Sequence, residues 1–449
     1  MTCGKPLPII LKFTLPLMIG NIFQQLYNMA DTIIVGRFVG PNALAAVGAT
    51  GTIMFLVLGF SQGLTTGFTV LTGQAFGAGD MKRVKHSVSN GIILALFVSA
   101  VVTCVSVLVM PALLRAMNTP TEIFEESYTY IIIICYGTVA AVFYNLFSAY
   151  LRAVGNSRVP LIFLVLSAVL NVALDLCLII VFRLGVAGAA LATVTSQGIS
   201  TVLCLVYIYR KSEVLRPEKN DWHLTRADTR HQLIVGIPMA LQFGITAVGT
   251  IIMQAAINMF GATAVAAYTA ANKLQNLLMQ GMISMGQAIA AYVGQNYGKG
   301  DIDRVQQGVR QSALASGAYS VIATVIAVTC VGPSLYLFFT GEADMVLLHE
   351  YALTYTKISS LFYIPLSMIF VYRNAMQACG YALMPTLGGV MELLARLLMA
   401  RISIGIVSYM AACFCDPFAW LTTGIFDFVA YIFIMRKIQN KVKHRQNVA

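Results

Sequence analysis

Twelve long apolar stretches dominate this chain, and each is long enough to cross a bilayer as a helix. A hydrocarbon core about 30 Å thick takes about 20 helical residues to span. Runs of that order occupy residues 9–36, 44–77, 88–110, 127–151, 158–182, 186–209, 232–257, 264–297, 309–332, 350–377, 383–406 and 411–435. The second and eighth exceed one crossing, which predicts tilt or extension beyond the bilayer. Hydrophobic residues make up 58% of the 449 and charged residues 10%, far below the charged share of about 25% in soluble domains. Only helices and closed barrels satisfy every backbone group in lipid, and barrel strands would show short alternating segments. The predicted fold class is therefore all-α integral membrane, with twelve transmembrane helices.

The net charge of +11 does not point to nucleic acid, because the basic residues fall in alternate loops. Lys82, Arg83 and Lys85, then Arg152 and Arg158, the run from Arg210 to Arg230, Lys299, Arg304 and Arg310, and the tail from Arg436 form one set, with Lys5 and Lys12. The other loops carry Glu122, Glu125, Glu126, Glu342 and Asp344 with only Arg37, Arg115 and Arg183. The positive-inside rule places both termini in the cytoplasm, as an even number of crossings requires. The first apolar run lacks a small-residue cleavage site and is read as helix one, not a signal peptide. The nine cysteines lie mostly in apolar runs, where thiols act as small hydrophobes, and no disulfide or metal site is assigned.

The chain repeats itself. Gly73-Gln-Ala-Phe-Gly-Ala-Gly-Asp80 matches Gly294-Gln-Asn-Tyr-Gly-Lys-Gly-Asp301; with one gap Leu15-Pro16 lies over Ile237-Pro238, and a second echo places Ala153-Val-Gly155 over Ala378-Cys-Gly380. Each copy holds six helices with the same cytoplasmic start, which predicts two pseudo-symmetric, parallel lobes. The expected divisions are an N-lobe at 1–209, a cytoplasmic linker at 210–231, a C-lobe at 232–436 and a basic tail at 437–449. Two such lobes in a transporter enclose a substrate cavity and alternate its access by rocking.

Polar residues within the apolar runs cluster. Asn21, Gln24, Asn28 and Asp31 share one face of helix one, and Asn171 with Asp175 share a face of helix five. With Thr193 of helix six, Asp31, Asn171 and Asp175 are candidates to converge in the first half. Two carboxylates close together in a low dielectric cannot both ionise cheaply, which marks a proton-coupling site, and the same oxygens suit Na⁺. Pro16 is expected to kink helix one. Helix eight offers Asn272, Asn276, Gln280, Ser284 and Gln287, with Lys273 and Gln275 beside them, as a polar wall without acids. Glu392 and Arg396, four apart on helix eleven, read first as a structural ion pair. Asp427, Arg373, Lys357 and Arg401 take no role from the sequence.

Other chemistries fit less well. The paired Gly-X-Gly-Asp segments are shared with intramembrane aspartyl proteases, yet they sit in basic loops, lack a Tyr-Asp partner and are equivalent by repeat, which favours a structural turn. The five histidines, His86, His223, His231, His349 and His444, form no zinc pattern, and there is no Walker loop. A channel would draw its pore from symmetry or several subunits, whereas two lobes suit a carrier.

Taken together, Leu15-Pro16, Asp31 before Gly36, the paired glycine-rich loops, Arg152-Ala-X-Gly155 with Pro160, and Asn171 with Asp175 resemble the MATE (multidrug and toxic compound extrusion) family over nearly the whole chain. That resemblance implies a secondary antiporter of the cell membrane that exports organic, mostly cationic compounds in exchange for H⁺ or Na⁺, with no other cofactor. It implies a first-lobe cation site at Asp31, Asn171, Asp175 and Thr193, with Tyr130 beside it, and a conformational role for Pro16 as in the DinF-like branch. Substrate-cavity candidates are Asn21, Gln24, Asn28, Tyr130, Asn272, Asn276 and Gln280. The NorM-like branch carries acids in helices seven and ten where Thr246 and Leu366 stand here, so coupling is expected in the first lobe. A flippase or exporter of a lipid-linked or anionic metabolite is the alternative, with Lys273 as a possible anion partner. Each chain holds a whole pathway, so a monomer suffices.

Overall fold

The computed structural model describes residues 1–448 except 118, 337–338 and 340–343; Glu342, one of the acids assigned to the outer loops, lies outside them. The helices are α1 Pro6–Phe38, α2 Pro41–Ala78, α3 Met81–Ala116, α4 Thr121–Tyr136, α5 Thr138–Ala153, α6 Arg158–Asp175, α7 Gly185–Lys211, α8 Arg226–Asn258, α9 Ala262–Lys299, α10 Ile302–Leu335, α11 Met345–Ser360, α12 Tyr363–Ala378, α13 Leu383–Ile406, α14 Tyr409–Cys413 and α15 Cys415–Val448. A π-helical turn, Leu176–Val181, continues α6, and two 3₁₀ turns, Glu213–Leu215 and Lys219–Asp221, lie between α7 and α8.

Every apolar run falls on these helices, but three are divided. The fourth becomes α4 and α5, bent by 46° at Gly137, where a side chain would run into Val194 of α7. The tenth becomes α11 and α12, and the twelfth α14 and α15. Nine spans among the described residues are long and apolar enough to cross a membrane, counting α6 with its π-helical turn as one and α14 with α15 as one, and the bent α4–α5 pair makes ten. The remaining two runs are α11 with α12, 16 residues each, and α13, which carries buried Glu392 and Arg396.

The duplication is visible in element lengths: α1 and α8 both have 33 residues, α2 and α9 both have 38. It is also visible in the repeated turn. Gly79 (φ 77°, ψ 8°) and Gly300 (φ 83°, ψ 6°) end α2 and α9 in the left-handed region, where a glycine avoids the Cβ penalty. Asp80 and Asp301 then cap the next helices, accepting from the Arg83 N–H at 3.0 Å and the Arg304 N–H at 3.1 Å. The Gly-X-Gly-Asp segments are thus helix stop and start signals.

By packing, the chain divides into two compact units, Ile19–Gly244 and Met1–Met18 with Ile245–Ala449. This division is not the duplication: α1 gives its first residues to the second unit, and α8 gives its first residues to the first. Both divisions follow the matched prolines Pro16 and Pro238, which remove a helix hydrogen bond. In the first unit, Gly59, Gly63 and Gly67 form a small-residue stripe on α2 facing α8. A Cβ at Gly63 would lie 2.6 Å from the Met239 carbonyl oxygen, and one at Gly67 would lie 2.3 Å from the Gly236 Cα. The two backbones pack directly, as in membrane helix pairs built on spaced glycines. In the second unit, Ile10, Phe13 and Leu17 of α1 share a core with Met285, Ala288, Ile289 and Tyr292 of α9.

The segment 210–231 is pinned rather than free. Asp228 takes Arg83 at 3.4 Å and His86 Nδ1 at 2.9 Å, and the Asn90 amide donates to Gln232 at 2.7 Å. Lys85 pairs with Glu218 and holds that carboxyl below its ordinary range. The polar segment is therefore stapled to the N-terminal end of α3.

Candidate ion-coupling site

Asp31 lies in the last third of α1 and Asp175 is the final residue of α6, both in the unit Ile19–Gly244. Asp175 is 0% exposed. Neither of its carboxylate oxygens, nor one oxygen of Asp31, meets a protein hydrogen-bond donor, and the carboxyl group each does meet is the other's. One turn earlier, the Asn171 amide donates to Thr193 Oγ1 at 3.4 Å, and the Asn171 carbonyl oxygen is buried with no donor. Tyr130 of α4, 2% exposed, stands close to both carboxyls and to Tyr27.

Chemically this is a cluster of acceptors. Buried polar atoms are nearly always satisfied, and burying charge is costly unless it is paired. An acceptor-only group of two carboxyls and an amide oxygen meets that requirement with a proton shared between the carboxyls, or with a hard monovalent cation that takes oxygen ligands. The backbone is adapted to the site: the π-helical turn begins immediately after Asp175, and such turns recur at functional positions. Gly188 lets α7 approach it, because a Cβ there would lie 3.2 Å from the Leu178 backbone.

The structure thus brings together Asp31, Asn171, Asp175, Thr193 and Tyr130. Of the other α1 candidates, Gln24 is exposed beside Tyr27, Asn28 is exposed and Asn21 is half-buried. Pro16 lies inside α1, which continues through it. Tyr27 and Gln197 were missed: Tyr27 lies beside Gln24, Gln197 and Asp31. Their signal is helical spacing, since Tyr27 is four before Asp31 and Gln197 four after Thr193.

In the other unit, the α9 stripe forms a ladder along its own helix. The Asn272 amide donates to the Tyr268 hydroxyl at 2.8 Å, Asn276 to Asn272 Oδ1 at 2.6 Å, Gln280 to the Asn276 carbonyl at 3.1 Å and Ser284 to the Gln280 carbonyl at 2.6 Å. Lys273 is exposed. The Glu392–Arg396 pair, 2.8 Å, belongs to a longer buried chain of alternating charge. Arg396 also holds Asp416 at 2.7 Å, and Arg373 reaches Glu392 at 3.4 Å and Asp427 at 3.5 Å. Asp427 is 0% exposed, with neither oxygen hydrogen-bonded, and lies against Gly388, where a Cβ would come within 2.5 Å of its Oδ1. Leu366 is buried.

Long apolar helices in a duplicated array, with buried ionisable groups in each unit, define a multispanning membrane transporter rather than an enzyme. The MatE family model matches residues 16–177 and 238–402, and the chain belongs to that family. It is similar to a probable multidrug resistance protein, YpnP, of Bacillus subtilis, with 30% identity over 84% of both chains. A second such protein of that organism, YoeA, is 25% identical over 83% of this chain and 81% of its own. The fold matches that of a MOP superfamily transporter from Pyrococcus furiosus, with a TM-score of 0.91, 21% identity and 97% of each chain covered.

Proposed function

We propose that this transporter exports organic, mostly cationic, drug-like compounds in exchange for H⁺ or Na⁺ by alternating access, with the coupling ion carried by Asp31, Asn171, Asp175 and Thr193. The observation that carries this reading is the contact between the Asp31 and Asp175 carboxyls, with no donor on either Asp175 oxygen. A single positive charge entering the site satisfies it, and its release makes the site anionic again. Antiport follows where the ion and a cationic cargo favour different conformations, because each ligand shifts the equilibrium by its differential affinity. Tyr130, Asn21, Gln24 and Asn28 in one unit, and Asn272, Asn276 and Gln280 in the other, contact cargo in this reading, and Pro16 bends α1 between states. The relatives named as multidrug resistance proteins support a broad organic cargo.

The protein acts as a monomer in the cell membrane with both termini cytoplasmic, and the lobes 1–209 and 232–436 are the duplicated parts. The deciding experiment is efflux of a fluorescent organic cation from proteoliposomes under a pH gradient or a Na⁺ gradient, with wild type and Asp31→Asn. Export driven by either gradient and lost in the variant supports the assignment and names the ion. Export driven by neither moves a flippase or an exporter of an anionic metabolite into its place.

A further inference from the structure

The second unit contains a cavity of about 790 Å³ that shares no residue with the carboxyl site. Its floor is α12, and its walls are α10 and α15, which both pack on α12. The two ends differ in character. At one end stand Gln306 and Arg310 of α10 with Arg436 and Gln439 of α15. Both arginines are exposed, and among the described residues neither takes part in an ion pair. Towards the other end the lining is apolar and open: Leu314 is 69% exposed, Val321 54%, Phe428 45% and Ile364 44%.

Length identifies the occupant. From Gln306 to Val321, α10 rises about 22 Å. Half of a hydrocarbon core is about 15 Å, with the headgroup layer beyond it, so the trough spans one leaflet. Depth comes from Ala313 and Gly317. A Cβ at Gly317 would touch only the Met368 methyl at 3.8 Å, an ordinary contact, so packing does not require glycine there.

We propose that this trough binds one anionic phospholipid, its phosphate held between Arg310 and Arg436 and an acyl chain laid along Leu314, Val321 and Phe428. Two guanidinium groups without protein counter-charges select a net negative headgroup, because charge-assisted and bidentate contacts to phosphate are the strong ones. The same pair repels a cationic cargo, which separates this site from the transport path. In the topology proposed above the lipid belongs to the cytoplasmic leaflet, whose anionic lipids attract basic residues near the membrane surface.

The test uses the full-length protein in detergent, titrated with phosphatidylglycerol, phosphatidylcholine or glycerol 3-phosphate and followed by native mass spectrometry and thermal melting. The expected result is one retained phosphatidylglycerol per chain and a raised melting midpoint, with phosphatidylcholine weaker. Arg310→Gln and Arg436→Gln should each weaken phosphatidylglycerol about fivefold and leave phosphatidylcholine unchanged, while Gly317→Leu, which fills the trough, should weaken both lipids. Equal binding of the two lipids by wild type, or unchanged phosphatidylglycerol binding in the double arginine variant, overturns the proposal. So does equal protection by glycerol 3-phosphate, because the apolar trough would then contribute nothing.

Discussion

Two buried carboxylates in this protein meet opposite surroundings. Asp175 has no cation beside it and faces Asp31, whereas Asp416 sits 2.7 Å from Arg396. The first arrangement is one a transporter can charge and discharge; the second is held. Asp31→Asn and Asp175→Asn keep side-chain shape and remove the exchangeable charge, so each should abolish gradient-driven export while folded yield stays near wild type. Full export by both variants sinks the coupling assignment. In the other unit, two arginines face three acids. Arg396→Met leaves Glu392 and Asp416 buried without that partner and should cost about 3–5 kcal/mol. Asp427→Asn leaves two charges of each sign and should cost far less. Melting curves that rank the two variants in the reverse order refute this account of the network. At this scale the sequence showed which residues are expensive to bury, and helical spacing grouped Asn171 with Asp175. Asp416 carried no signal, because its partner Arg396 lies on a different helix.

Among the elements, the sharpest constraints are the glycines where backbones meet. Gly67 and Gly51 lie on the same helix, but a Cβ at Gly51 has nothing within 4 Å, whereas one at Gly67 would overlap Gly236. Gly67→Val should therefore destabilise the first unit by about 1–3 kcal/mol or more through overpacking, and Gly51→Ala should be neutral or stabilise by up to about 1 kcal/mol through helix propensity. Thermal melting of the two variants checks both. The Gly-X-Gly-Asp turns were legible beforehand because a left-handed glycine and an aspartate cap act within a few residues. The bend at Gly137 was not, since its cause is Val194 on a neighbouring helix.

For the whole molecule, topology is the open test. If the termini and the segment around Glu218 are cytoplasmic, a cysteine introduced there in a cysteine-free background should react with a membrane-impermeant maleimide in inside-out vesicles and resist it in right-side-out ones. The reverse pattern overturns the orientation read from the basic loops. That same segment is stapled to α3 by Asp228 and Glu218, so removing Asp228 should loosen it and raise its rate of proteolysis.

Twelve apolar runs, their duplication and the repeated caps follow from the sequence alone, because hydropathy, register and capping are set by residues close together in the chain. Tertiary structure alone decided that Asp31 meets Asp175, that Arg396 bridges Glu392 and Asp416, and that α1 and α8 each divide between the compact units. A helical pattern specifies which face of a helix must be buried. It does not specify the face it is buried against, and that pairing depends on how distant helices fill space together.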